Sequence, residues 1–158
     1  MEIKRIHSNK KRFLKLLLLA DEQEDMIDRY LERGDMFALY DGGVKSICVV
    51  TEEAPGVYEL KSLATEQDFQ RRGYGRALVE FLLGHYAGKG RVMLVGTGDS
   101  PRTIPFYERC GFRYSHRVKD FFIKNYDHEI YEDGVKLVDM VYLKKDLRHG
   151  ARETESEL

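Results

Sequence analysis

Cysteine is scarce in this chain, with Cys48 and Cys110 the only two in 158 residues. One lies in an apolar run and the other beside a glycine, so reduced, partly buried thiols are expected. Neither stands at metal-ligand spacing from another Cys or His. The histidines His7, His85, His116, His128 and His149 are scattered without paired spacing, and no metal is implied. An excess of positive charge is also missing: the formal net charge is -1, against the basic balance of a general nucleic-acid binder. Long apolar runs are absent too. The segment at residues 13–20 is short, carries Lys15, and leads into Asp21 and Glu22 rather than a small-residue cleavage site, so neither a signal peptide nor a membrane span is expected. These absences describe a soluble cytoplasmic protein with no nucleic-acid or membrane partner.

What is present suits one domain at residues 1–147, since 42% of residues are hydrophobic and 11% aromatic. Residues 148–158 form a polar tail expected to be disordered. The patterning predicts a strand over residues 2–7, a helix capped by Ser8 or Asn9 and running to residue 20, and a second helix over 21–33 stopped by Gly34. Strands over 36–40 and 44–51 flank Asp41-Gly42-Gly43, a hairpin signal. Residues 57–65 form another strand, in which regular alternation places Tyr58, Leu60, Ser62 and Ala64 on one face and Glu59, Lys61, Leu63 and Thr65 on the other. A buried helix from Gly73, a strand at 92–95 ended by Gly96-Thr97-Gly98, a short helix at 100–109 and strands at 112–118 and 136–144 follow. Residues 57–95 would then make a right-handed βαβ crossover. The long connection at 119–135 mixes aromatic and acidic residues, a composition common in functional loops.

The turn before the buried helix is the chemically suggestive stretch. Gly73 and Gly75 allow close backbone approach, the first helical N–H groups lack internal partners, and Arg71, Arg72 and Arg76 add positive charge, all of which suit a phosphate. Two common phosphate loops do not match. Arg76-Ala77 stands where a Walker loop needs Lys-Ser or Lys-Thr, and Leu78 stands where a dinucleotide fingerprint needs its third glycine.

The element order, with Gln70-Arg71-Arg72-Gly73-Tyr74-Gly75 at the turn and Phe106-Tyr107-Glu108-Arg109-Cys110-Gly111-Phe112 after it, resembles the GNAT superfamily of N-acetyltransferases over about residues 3–147. The resemblance implies a mixed α/β (α+β) fold: a mostly antiparallel six- or seven-stranded sheet with a central parallel βαβ pair splayed at the cofactor site, and helices on both faces. It implies acetyl-CoA as co-substrate, with the backbone of Leu63, Ala64 and Thr65 pairing with the pantetheine arm. Gln70, Arg71, Arg72, Gly73, Tyr74, Gly75 and Arg76 would wrap the pyrophosphate. It also implies that Tyr107 protonates the leaving thiolate. The chain departs from the family pattern at Ser100 and Thr103, where Asn and Ala are usual, and near Gln67, where proline is.

With no activated Cys or Ser, direct attack by a primary amine on the thioester in a ternary complex is the expected chemistry. Glu59 is the first candidate base and Asp139 the second, with Glu66 and His116 behind them. Tyr126, Asp127 and Glu129, with Glu132 and Asp133, would meet a cationic small-molecule or peptide amine. A non-catalytic acyl-CoA sensor is the alternative, and a monomer or homodimer is expected.

Overall fold

The computed structural model describes residues 1–148, so nearly all of the expected tail lies outside the described residues. A seven-stranded sheet runs in the order β1 (Glu2–Ile6), β2 (Asp35–Tyr40), β3 (Val44–Ala54), β4 (Val57–Thr65), β5 (Val92–Gly98), β9 (Met140–Asp146), β6 (Arg113–Val118). Every neighbouring pair is antiparallel except β4 and β5. The short strands β7 (Tyr131–Glu132) and β8 (Val135–Lys136) form a separate hairpin.

Alternating side chains feed two cores. Phe37, Leu39, Cys48 and Val50 face α3 (Tyr74–Tyr86) and α4 (Thr103–Arg109), packing with Leu78, Leu82 and Tyr107. Met36, Ala38, Ile47 and Val49 face the other way, onto α1 (Leu14–Ala20) and α2 (Glu24–Ile27), with Leu17, Ile27 and Leu31. Period-two burial on both sides explains why β2 and β3 read as continuous apolar runs.

In β4 the expected alternation fails at one place. Leu60 pairs with Val50 and Ser62 with Val49, leaving Lys61 as an extra, bulged residue. A bulge exchanges the faces of everything beyond it. Leu60 and Leu63 therefore pack in the α3 core, while Ala64 joins the α1 core. The expectation that Glu59 shares a face with Leu63 is corrected accordingly. Parallel pairing with β5 runs from Val57↔Val92 to Leu60↔Val95 and stops at the bulge. Beyond it, residues 61–65 pair only with β3, and Gly96, Thr97 and Gly98 pair only with β9. The two central strands part there.

Several predicted elements are shorter or longer than expected. Asn9 adopts a left-handed conformation and caps nothing with its side chain; a 3-10 turn, Lys10–Phe13, precedes α1. The predicted second helix shrinks to α2 followed by turns. The ammonium of Lys10, only 6% exposed, holds the end of those turns: it donates to the carbonyls of Leu31 (3.0 Å), Glu32 (3.2 Å) and Gly34 (2.7 Å). β5 continues through the glycines expected to end it. These glycines serve close packing, because a Cβ on Gly96 would lie 2.9 Å from the Met140 sulfur and one on Gly98 2.5 Å from Leu137. The connection after β6 is ordered, holding α5 (Phe121–Asn125) and the β7–β8 hairpin, and β9 starts later than predicted.

Lys10→Met should leave the Leu31, Glu32 and Gly34 carbonyls buried without a donor, costing about 2–3 kcal/mol. Thermal unfolding followed by circular dichroism is expected to show Tm lower by about 5–10 °C.

Candidate active site

A cavity of about 480 Å³ opens where β4 and β5 part. Its floor is residues 60–63 of β4 and 95–98 of β5. Around these stand Leu18, Asp21 and Glu22 from α1 and its C-terminal connection, Thr103 and Tyr107 from α4, Phe122 and Tyr126 from the α5 region, and Tyr131 and Glu132 from the hairpin. Each wall is fixed by polar contacts made elsewhere. Tyr126 Oη donates to Asp21 at 2.6 Å, the Asp127 N–H donates to Gln23 at 3.0 Å, and Arg29 donates to Asn125 at 3.2 Å, so the segment after α5 is tied to the α1–α2 connection. Thr103 Oγ1 donates to Glu132 at 2.6 Å and ties the hairpin to α4.

Tyr107 is 6% exposed and lines this cavity. Among the described residues its hydroxyl has no hydrogen-bond partner, and its ring is held edge-on between Phe106 and Phe112. Burial, with a smaller contribution from the Glu132 carboxylate, pushes the phenol well above its ordinary pKa, so it stays protonated at neutral pH. Asp21 is also raised, because burial outweighs the hydrogen bonds from Tyr126 and Tyr30 that favour its charged form. A raised carboxylate contributes stability only while protonated and loses it as pH rises through the folded-state pKa.

The other predicted groups lie elsewhere. Glu59, 8% exposed, pairs with Lys61 at 3.0 Å and does not line the cavity; burial raises its carboxyl against the pull of Lys61. Asp139 accepts from the Asp120 N–H at 2.9 Å and pairs with Arg117 at 3.3 Å, contacts that lower its pKa. Asp127 pairs with His128, and Glu129 with Tyr131 and Lys136, on the outside of the loop. Of the residues proposed to meet the acceptor, Tyr126 reaches the cavity; Asp127 and Glu129 do not, whereas Glu132 does.

Asp21, Glu22 and Ser62 were not singled out from the sequence. One signal was available for Asp21: it is the C-cap of α1, where a negative charge meets the negative end of the helix dipole. An acidic residue there is an electrostatic anomaly that burial in a site accounts for.

The turn at residues 70–76 has the form of an anion cradle. Arg71 (φ 64°) and Gly73 (φ 87°) are both left-handed, and no side chain caps α3. The first backbone bond of α3 runs from the Ala77 N–H to Gly73. Among the described residues, the N–H groups of residues 71–76 have no acceptor, backbone or side chain. Consecutive free N–H groups in alternating left- and right-handed conformations, at a helix N-terminus, form a nest for phosphate oxygens. The turn is pinned to β4 and to the β2–β3 hairpin: Gln70 donates to the Thr65 carbonyl at 3.1 Å and Tyr74 to Asp41 at 2.7 Å. A Cβ on Gly75 would sit 3.5 Å from Thr65 Oγ1 and 3.7 Å from Phe106, so the helix start lies against the end of β4. Arg76 is exposed and pairs with Glu80, and Arg72 lies over the Phe69 ring. The cradle thus lies against the unpaired end of β4, whose residues 60–63 line the cavity together with Tyr107.

Residues 32–114 match the family model described as an acetyltransferase (GNAT) domain. The chain belongs to the GNAT acetyltransferase family. It is an acetyl-CoA-dependent N-acetyltransferase. The uncharacterized N-acetyltransferase YvbK of Bacillus subtilis strain 168 is 35% identical over 135 residues, covering 84% of this chain and 87% of that protein. Among solved structures, a Bacillus subtilis acetyltransferase in complex with CoA superposes with a TM-score of 0.85 at 31% identity, covering 92% of this chain and 97% of that one. A GNAT acetyltransferase from Elizabethkingia anophelis with acetyl-CoA bound gives a TM-score of 0.86 at 28% identity over the same shares. No helix among the described residues is long and apolar enough to cross a membrane.

Gly73→Ala places a Cβ on a left-handed residue, at a cost of about 1–2 kcal/mol. No neighbour lies within 4 Å of that Cβ, so the GNAT cradle should distort while the core stays intact. Calorimetric titration is expected to show acetyl-CoA affinity lower by about tenfold.

Proposed function

We propose that this GNAT enzyme acetylates a cationic amine by direct attack in a ternary complex, with Tyr107 serving the leaving sulfur and Glu132 serving the attacking nitrogen. The carrying observation is that Tyr107, whose hydroxyl has no hydrogen-bond partner among the described residues, lines the cavity at the point where β4 and β5 part. The donor's diphosphate rests on the N–H groups of residues 71–76. Its amide-bearing arm, itself strand-like, lies against residues 61–65, whose β5 side has no strand partner. Side chains of Arg71, Arg72 and Arg76 add favourable charge around the phosphates.

The amine must be neutral to attack. Glu132 lines the cavity, is held by Thr103, and lies close enough to influence the Tyr107 phenol. It takes the proton from nitrogen, directly or through water, as the C–N bond forms. When the C–S bond breaks, the Tyr107 hydroxyl hydrogen-bonds the departing thiolate. Its burial makes complete transfer to a thiolate, of reference pKa about 8.5, uphill until Glu132 returns the nitrogen's proton. Starting from the ammonium ion, nitrogen loses two protons, one to become neutral and one as the amide forms; sulfur gains one and the other is released to solvent. Glu59, bound to Lys61 outside the cavity, and Asp139, bound to Arg117, are less well placed for this role. The acceptor's charge follows from the walls: Asp21, Glu22 and Glu132 line the cavity, and its one cationic side chain, Lys61, is committed to Glu59 and Glu53.

Tyr107→Phe removes only a hydroxyl with no partner, so the fold should be unaffected. Thiol released from acetyl-CoA with a responsive amine is expected to fall about a hundredfold in kcat, while acetyl-CoA affinity by calorimetry moves by less than about twofold. Full activity in the Phe variant would remove Tyr107 from the chemistry, and no release with any amine would favour a binding protein without turnover.

A further inference from the structure

We propose that a second cavity, at the N-terminal end of β5, binds a small molecule carrying two or more phosphate groups. The cavity measures about 590 Å³ and shares no lining residue with the catalytic one. Five cationic side chains line it: Arg91 before β5, Arg113 at the start of β6, Lys144 and Lys145 in β9, and Arg148 after β9. Asp146 is the one acidic residue of the lining. The whole chain has a net charge of -1, so this concentration of positive charge is local. β5 is 7 residues long and runs from this cavity at Val92 to the catalytic one at Gly98, a span of about 20 Å.

Two features call for an anion here. The strand register sets Arg113 directly opposite Lys144 across the β6–β9 ladder, and like charges so placed repel. Among the described residues, moreover, none of the five cations has an ion-pair or hydrogen-bond partner for its side chain. On other surfaces Arg5, Lys11, Arg33 and Arg117 each pair with a carboxylate. Charges that converge from separate segments on one concavity are not the solvated face of a single element.

The ligand class follows from the donors. Guanidinium forks bind phosphate through paired N–H groups, and ammonium groups add point charge. A monoanion would offset one of the five, whereas linked phosphates bring several charges into a volume of ligand size. The floor is apolar: Met93 and Val95 turn into the α3 core, so Val92 and Leu94 face the other way, half-buried, and line the cavity. Lys144 pairs with Leu94 and so shares the face of that floor. Lys145, on the opposite face, reaches the cavity over Gly111, where a Cβ would lie 3.5 Å from its Nζ. An enclosed site suits a small molecule, and the near-neutral chain lacks the extended basic surface that a nucleic-acid strand requires.

The test is calorimetric titration of the full chain with inorganic tripolyphosphate, one equivalent of CoA being present to fill the cradle. One tripolyphosphate per chain is expected, with affinity at least about tenfold above that for orthophosphate. In Arg113→Gln/Lys144→Gln that affinity should fall about tenfold or more, while acetyl-CoA affinity stays within about twofold. Both side chains are exposed, so the variant is expected to keep its fold. No tripolyphosphate bound by the wild-type chain, orthophosphate bound as tightly, or full affinity in the variant would each overturn the proposal. The wild-type comparison decides it even if the variant fails to fold. ATP in place of tripolyphosphate separates two sources of the same chemistry. Tighter binding marks a nucleotide resting on Val92 and Leu94, and equal or weaker binding marks the phosphate chain alone. A single-stranded oligonucleotide bound more tightly than either would replace the small ligand with a nucleic-acid surface.

Discussion

The extra residue Lys61 in β4 is the constraint on which the rest of the site depends. A regular strand would have carried its pairing with β5 to the end, and the sheet would have been closed. The bulge ends that pairing at Leu60↔Val95, so two strands that start as neighbours finish apart. The gap has polar backbone edges and an apolar core at its back. Without a bound chain to pair with them, those edges must be met by water. A ligand with its own amides, entering as a substitute strand, satisfies the same groups.

The bulge also distributes side chains. By reversing alternation it sends Leu63 to the α3 core and Ser62 and Ala64 to the α1 side, so the end of one strand contributes to both faces of the sheet where β4 and β5 part. Regular alternation would have left Ser62 on the α3 side, away from Tyr30 and Asp21. Two polar groups stand at this point: Asp21, whose carboxyl is raised by desolvation, and the buried hydroxyl of Ser62. Such concentration is expected where a ligand completes the structure.

Much of the framework was legible in the sequence because it rests on local signals. Alternation marks β4 as Val57–Thr65, the glycines mark the turn into α3, and Phe106 and Tyr107 fall in a short helix, as their setting predicts. What was not legible involves partners far apart in the chain. No local pattern shows that the chain after Ile27 will run on as turns, or that Lys10 will bind carbonyls more than twenty residues away. A bulge adds one residue without changing composition, so Glu59 was placed with Leu63. Asp127 and Glu129 looked equivalent to Glu132 as members of one acidic loop. Only the pairing of β7 with β8 and the Thr103 contact show which carboxylate turns inward.

The strand order β5-β9-β6 places β9, the latest strand among the described residues, between two made earlier. β1 to β4 can zip as successive antiparallel neighbours, through contacts close in sequence. The β5 wall of the groove, however, is complete only when β9 inserts beside Gly96, Thr97 and Gly98. Such non-local closure is slow relative to hairpin formation. The half of the groove that β4 provides is therefore expected to form early in folding, and the half that β5 provides late, so the donor groove would be among the last features of the fold to acquire its shape.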